Sequence, residues 1–453
     1  MFRSSATSSL VAAVLLSAVC AAVRAETRPH YGGTLHVETQ ADAWQGPDSV
    51  GRRLVFDSLT RVDGAGVVQP ALAVRWQSQN QDHRWQFWLR PGVRFHDDSP
   101  LTAEAVAQSL THSCTKCPWS AIRPLGDSVV FTTEASDPAL PAELARSVYA
   151  IANADASGNP VGTGAFKFAS NANDLLSLAA VEDAWQGRPF VDAIEIYGRR
   201  TVRTQWLDLG AGRADLVDVP VESVRQAQQE HLAIVQSADC DLLALSMMPS
   251  GVLQDDAQRE AISLAVDRAV LYNVIFQKQG EMTASLLPNA LTGYAFLLPV
   301  ARNLARAQEL HSAGSAVPLT MMVDDTNAAV QLAGERIALN LREAGFHVQV
   351  MPRVPNAEPN PPANLVLRRI HLENADAQAA LEQMLERFGQ PLTDTSSDPA
   401  ALYREEATFA QTHQAVPLLY LPRTFGVGPR VHGLRLSTDG VPLLADAWIE
   451  DEK

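Results

Sequence analysis

The chain has 453 residues, 46% hydrophobic and 19% charged, with a formal net charge of −15. That balance belongs to a globular protein, not a disordered one, and the length suffices for two or three lobes with sizeable cores. The negative charge argues against nucleic acid or anionic lipid headgroups as partners, and reads more simply as a surface kept soluble by its charge.

Residues 1–25 read as an export signal. Arg3 opens it, an apolar core too short for a permanent anchor runs from Leu10 to Ala22, and Val23-Arg24-Ala25 gives a cleavage site before Glu26. Cleavage removes Arg3 and Arg24 and no acid, taking the net charge from −15 to −17. Lipid attachment at Cys20 is disfavoured. Ser17-Ala18-Val19 lacks a large aliphatic residue at the third place before the cysteine and a small one just before it. The expected location is therefore the periplasm, as a soluble protein.

Residues 34–39 alternate as a strand with Leu35 and Val37 inward, and a helix is expected from Val50 through Leu54 to Leu59. The most informative stretch is Trp76 to Leu110, "WQSQNQDHRWQFWLRPGVRFHDDSPLTAEAVAQSL". It predicts a strand with Trp85, Phe87 and Leu89 on one face, a turn at Pro91-Gly92, and a short second strand with Val93 and Phe95. A polar loop then leads to Thr102, which can cap a helix carrying Glu104 in its first turn. Cys114 and Cys117 lie at the far end of that helix. The dipole there does not favour a thiolate, so redox chemistry is set aside. A Cys114–Cys117 disulfide and two buried free thiols both remain open, and Cys240 reads as a buried thiol at a strand edge.

Further on, "NPVGTGAFKF" (159–168) places glycines ahead of an alternating strand, and Gly187-Arg188-Pro189 turns the chain before a strand over 193–197. Residues 255–279 are helical with a break at Asp267-Arg268, where Arg268 suits a salt bridge or a cap. A β-α-β unit follows: a strand over 317–323, a helix over 328–344 with Leu332, Ile337, Leu339 and Leu341, then Gly345 and a strand through Phe346, Val348 and Val350. Helices returning between strands favour parallel pairing and an α/β lobe. "NAEPNPPAN" (356–364) is a connector, and residues 415–440 form a buried strand, a crossing segment and a hairpin.

Catalytic signatures are lacking: there is no nucleophile elbow, phosphate loop, dinucleotide fingerprint or zinc-protease motif. The 11 histidines include no pair at helical ligand spacing, so no metal cage and no cofactor are expected. The acid pairs Asp97-Asp98, Asp255-Asp256 and Asp324-Asp325 read as caps and solvated surface. The chain is expected to bind, not to catalyse.

The Trp76 to Leu110 stretch resembles family 5 extracytoplasmic solute-binding proteins, the dipeptide, oligopeptide and nickel receptors of ABC importers. Their pattern runs W…y-f-LR-x-GVKFHDG-x-P-TA-x-DV. Asp98 stands where the family has glycine, and Ala105 where it usually has aspartate. "GTGAFKF", "AVEDAWQGRPFVDAIEIY" and "AQREAISLAVDRAVLYNVIFQKQG" resemble further family segments. The resemblance implies an α/β, two-lobed periplasmic binding protein of type II with an extra subdomain and mixed sheets flanked by helices. Residues 26–46, 160–246 and 424–453 would form lobe I, 47–159 its subdomain, and 247–423 lobe II, with crossings near 246–250 and 421–424. It also implies a cleft near Thr39, Gln40, Trp44, Gly162, Thr163, Gly164, Trp206, Ser246 and Tyr294.

One departure stands out. Peptide-binding members carry an aromatic-acid motif in the second lobe, and this chain reads "NLVLRRIHLENADAQ" there. Arg368 and Arg369 in place of an acid would repel an amino terminus and favour a carboxylate or phosphate. The function implied is the substrate-binding component of an ABC importer, a monomer that takes a peptide or similar small polar solute to permease subunits. The alternative is a degenerate receptor that docks on a sensor or transporter partner without cargo.

Overall fold

The computed structural model describes residues 28–46, 49–114, 117–293, 298–311, 318–352, 363–394 and 396–450. The export signal, most of the 356–364 connector and Tyr294 fall outside them. None of the described helices is long and apolar enough to cross a membrane.

Strand β1 (Thr34–Glu38) buries Leu35 and Val37, as its alternation predicts. Helix α1 (Val50–Val55) stops four residues short of Leu59, with Phe56 already extended at φ −117° and ψ 139°. Tertiary contact sets that end: the Val55 carbonyl accepts the Gly164 amide at 2.9 Å, so a loop takes the place of the next turn.

A separate antiparallel sheet follows, built from β2 (Ala73–Gln79), β3 (Arg84–Leu89), β4 (Ala121–Leu125) and β5 (Ser128–Thr132) in the order β2-β3-β5-β4. Between β3 and β4 runs helix α2 (Ala103–Ser113), capped by Thr102, whose hydroxyl accepts the Ala105 amide at 3.2 Å. Trp85, Phe87 and Leu89 pack with Phe131 and with Val106 and Leu110 of the helix. Val93 and Phe95 are buried but form no second strand. Asp98, at φ 65°, turns the chain so that the Phe95 amide reaches the Ser99 carbonyl, leaving one isolated bridge between Arg94 and Pro100. Cys114 and Cys117 are joined by a disulfide at the helix end, their Cα atoms 5.5 Å apart.

The main sheet takes its strands from both halves of the chain. They are β6 (Phe166–Ala172), β7 (Leu175–Ala180), β8 (Ala193–Tyr197), β9 (Leu216–Asp218), β10 (Ile234–Met247), β11 (Leu319–Val323), β12 (Val348–Pro352), β13 (Leu365–His371) and β14 (Ala415–Val427), together with β1. Their order is β6-β7-β8-β1-β9-β14-β10-β13-β11-β12, and an eleventh short strand, Glu281–Met282, pairs with β14 off this path. β1 lies parallel to β8 and β9, and β11 parallel to β12 and β13, so each half has an α/β core of its own.

Two long antiparallel strands, β10 and β14, carry the chain between these halves. At one end β14 pairs with β9 and with residues 234–236 of β10; at the other, residues 241–247 of β10 pair with β13. Register shifts fall between Gln236 and Asp241, where neighbours are exchanged, and again between Leu243 and Ala244. The exchange thus lies upstream of 246–250, and Ser246 sits inside the second half's sheet. On β14 the residues facing that stretch are 421–424.

Helix α3 (Asp256–Ala265) ends at the expected break. Arg268 just beyond it is buried, and among the described residues it pairs with no carboxylate. Its Nε donates to the Pro417 carbonyl at 2.8 Å, and burial lowers its pKa to about 10. Helix α4 (Ala328–Glu343) lays Ala329, Ala333, Gly334, Ile337, Ala338 and Leu341 on the sheet. Leu332 and Leu339 face outward, 57% and 42% exposed. Close helix-to-sheet packing selected the small residues: a Cβ on Gly334 would collide with the Val323 side chain.

Candidate functional site

The cleft floor is made where the carboxyl ends of β1 and β9 meet. The Thr39 hydroxyl and the Gln40 amide both donate to Asp218 Oδ2 at 2.8 Å. Burial pushes the Asp218 carboxyl up, and those two donors oppose the shift.

The facing wall comes from the loop after β11. Asp325 accepts Arg369 of β13 in a bidentate pair, Nε to Oδ2 at 2.5 Å and Nη2 to Oδ1 at 3.1 Å. Asn327 caps α4, accepting the Val330 amide at 3.1 Å, and its Nδ2 lies 3.3 Å from both Glu222 carboxylate oxygens across the cleft. Between floor and wall run the crossing strands. Asp241 of β10 takes Arg423 of β14 through Nε and Nη2, each at 3.2 Å, and lies 2.8 Å from His371 Nδ1. Although Asp241 is buried, the Arg423 charge and the His371 contact hold its carboxyl far below the usual range.

These groups enclose a cavity of about 550 Å³ lined by Thr39, Gln40, Asp218, Asp325, Asn327, Arg369 and Arg423, among others. A second cavity of about 790 Å³ adjoins it at Val50, Val441 and Pro442. It is walled by α1, by residues 56–64, by Trp185 and by the C-terminal loop 435–446. Two groups of contacts close this side. Asp439 pairs with Arg53 at 2.5 Å and lies 4.0 Å from His371 Nε2. Ser147 donates to Glu373 at 3.1 Å, and Asn374 donates to the Ala142 carbonyl at 2.6 Å.

Thr39, Gln40 and Arg369 thus line the first cavity, and other expected residues lie elsewhere. Trp44 packs against Phe56 and Phe168 in the lobe core. Gly162 and Gly164 press on the backbone of α1, where a Cβ would strike the carbonyls of Val55 and Leu54. Thr163 donates to Asp57 at 2.9 Å, behind the wall of the second cavity. Trp206 packs beside Val219, Val224 and Ala227, and Ser246 is buried in β10. Arg368 points away from Arg369, with its guanidinium 5.7 Å from the Phe388 ring and donating to the Arg387 carbonyl at 3.1 Å.

Asp218, Asp241, Asp325 and Arg423 escaped the sequence reading because each acquires its role from a partner far along the chain. The available signal was position: Asp218 ends β9 and Asp325 follows β11, at the carboxyl edge where open α/β sheets bind ligands.

Among the described residues, Cys240, Asp241 and His371 offer ligand atoms within 4.8 Å of one another. They fit a metal poorly, since Asp241 is committed to Arg423 and burial pushes the Cys240 thiol up to about 12, away from the thiolate that would ligate.

Two α/β halves joined by paired crossing strands, with polar groups converging between them, define a two-lobed binding protein. The profile of bacterial extracellular solute-binding proteins, family 5 (middle), matches residues 67–393, and the chain belongs to that family. The nickel-binding protein NikA of Staphylococcus aureus is 26% identical over 243 residues, 51% of this chain and 49% of that one. Heme-binding protein A of Haemophilus influenzae is 22% identical over 276 residues, 51% of this chain and 50% of that protein. The chain thus spans about half the length of these curated relatives. The fold is shared with DppA of Helicobacter pylori in complex with peptide STSA, at TM-score 0.80 and 19% identity, covering 93% of this chain and 99% of that one. It is also shared with S. aureus NikA in complex with Ni(L-His)2, at TM-score 0.78 and 16% identity, covering 92% and 100%.

Proposed function

We propose that this chain is the extracytoplasmic substrate-binding component of an ABC importer, holding a peptide or similar small polar solute between its lobes. The observation that carries this reading is the polar cavity of about 550 Å³ at the carboxyl ends of β1 and β9, bridged by two crossing strands. Pockets of this size and position suit small solutes, and lobe closure would expel water and strengthen each polar contact inside. Thr39, Gln40, Asn327 and Arg369 face the solute in this account. Residues 1–25 direct export, 26–46, 160–246 and 424–453 form one lobe with 47–159 as its subdomain, and 247–423 form the other. The monomer binds its solute and delivers it to permease subunits; it does not transform it.

Relatives named for nickel and heme, and a fold neighbour holding a peptide, set the classes to try first. The test is a thermal-shift screen with dipeptides, amino acids, short organic acids, nickel salts and heme. A ligand that binds only the folded form adds about 2.7 kcal/mol at a hundred times its Kd, so one class should raise the melting temperature. Flat curves across the panel would remove the receptor reading.

A further inference from the structure

We propose that the second cavity is an oxyanion subsite, in which the Arg52 guanidinium docks a carboxylate or phosphate group of the solute. This rests on the receptor reading above and names the chemical class of the cargo.

The arginines around the two cavities differ in how they are paired. Arg369 is held by Asp325 and Arg423 by Asp241, each through two nitrogens, so an incoming anion there must displace a built-in carboxylate. Arg53 is turned to Asp439 at 2.5 Å, and Arg435 to Asp446 at 2.5 Å. Arg61, also in this wall, is exposed to solvent, whereas Arg52 is half-buried and differs from the four paired arginines. The Arg52 guanidinium carbon sits 4.9 Å from the Phe56 ring centroid and 5.8 Å from that of Trp44. Among the described residues no carboxylate pairs with it, and none accepts a hydrogen bond from its side chain. The aromatic rings therefore fix the plane of the fork and leave its N–H groups uncommitted in the wall of a cavity of about 790 Å³.

Holding a half-buried cation without a counter-ion is unfavourable, and burial alone pushes the Arg52 pKa down. An oxyanion would restore that loss and gain two charge-assisted hydrogen bonds in a bidentate geometry. The acids in the same wall do not supply this partner, because each is engaged. Asp57 accepts Thr163, Trp185 and Gln186. Asp63 accepts the Ala65 and Val67 amides and the Gln69 side chain. Glu373 accepts Ser147 and lies 3.7 Å from Arg146, and Asp439 and Asp446 hold the arginines already named. The position also suits a role in binding. Val50, at the start of the helix that carries Arg52, lines both cavities, so a solute on the cleft floor can extend an anionic end toward the fork.

The test uses the full mature protein in isothermal titration against succinate, inorganic phosphate, the uncharged succinamide and a tryptic peptide mixture. Succinate or phosphate is expected to bind, with affinity that falls as salt rises, and whichever binds identifies the oxyanion. Arg52→Gln should weaken it at least tenfold with the melting temperature of the free protein unchanged, and Arg52→Lys should recover only part of the loss. Equal oxyanion affinity in wild type and Arg52→Gln overturns the proposal, as does binding of neither succinate nor phosphate. If succinamide or peptide then binds, the receptor reading stands without the subsite. Silence from all four probes overturns the subsite, and the receptor reading then stands or falls on its own thermal-shift panel.

Discussion

Replacing Glu382 by glutamine should stabilise the protein above pH 7 and change nothing near pH 4.5. Glu382 lies on helix α5 (Ala377–Arg387), which packs through Ala379 against Ala139 and Ala142 of the 47–159 segment. Acids crowd this contact: Asp137 and Glu143 from one side, Glu373, Glu382 and Glu386 from the other, with Asp82 and Tyr149 close by and Arg146 the cation among them. Burial first, then mutual repulsion, pushes Asp137, Glu143 and Glu382 each up to about 7. A carboxyl raised in the folded state binds its proton more tightly there than in the unfolded chain. It therefore lowers stability as pH rises from its ordinary value of 4.5 to about 7, and the full cost is present above that. The rise from 4.5 to about 7 corresponds to roughly 3 kcal/mol, and sharing among the neighbouring, partly solvated acids brings the part carried by Glu382 to about 2 kcal/mol. With an unfolding entropy of about 2.1 cal/mol/K per residue, the 453-residue chain should melt about 2 °C higher as Glu382→Gln at pH 8. Differential scanning calorimetry of both proteins from pH 4.5 to 8 measures this. A difference that is flat with pH, or that grows toward acid, would refute the reasoning.

Three further outcomes follow from single contacts. Thr39→Ala leaves the Asp218 carboxylate with one of its two donors at 2.8 Å, which should cost about 1–3 kcal/mol in urea unfolding and weaken solute binding. Gly164→Ala forces a Cβ onto the carbonyl of Leu54, so a loss of more than about 2 kcal/mol is expected by the same assay; near-neutral behaviour would mean that the loop and α1 are less tightly apposed. Reducing the Cys114–Cys117 disulfide, or replacing both residues by serine, should cost about 2 kcal/mol, because so short a loop removes little entropy from the unfolded chain.

What the sequence disclosed was local. The alternation around Leu35 and Val37, the Thr102 cap and the β-α-β unit closed by Gly345 each rest on neighbouring residues, and each is present. Asp98 explains its own departure from the family pattern. At φ 65° it occupies the left-handed region that glycine fills elsewhere and that aspartate tolerates better than most residues. Leu332 and Leu339 are large and apolar yet face outward, because this helix approaches its sheet largely through alanine and glycine. The strand exchange falls in the polar stretch from Gln236 to Asp241, but its pairing partners lie far along the chain, and β10 itself runs on unbroken into the apolar residues that follow. At the site, Thr39, Gln40 and Arg369 were legible as positions beside a cleft. The partners that decide their chemistry were not: Asp218 is 179 residues from Thr39, and Asp325 is 44 from Arg369. Arg369 read as a free positive charge becomes half of an ion pair.

The central claim, that two lobes close over a solute, is tested most directly by a distance across the cleft mouth. Spin labels at Arg225→Cys and Glu335→Cys, both exposed, in a Cys240→Ser background, report it by pulsed electron resonance. The account predicts a broad or two-peaked distribution in dialysed protein that collapses to the shorter distance when a stabilising solute is added. A single short distance, unchanged with or without that solute, would contradict it.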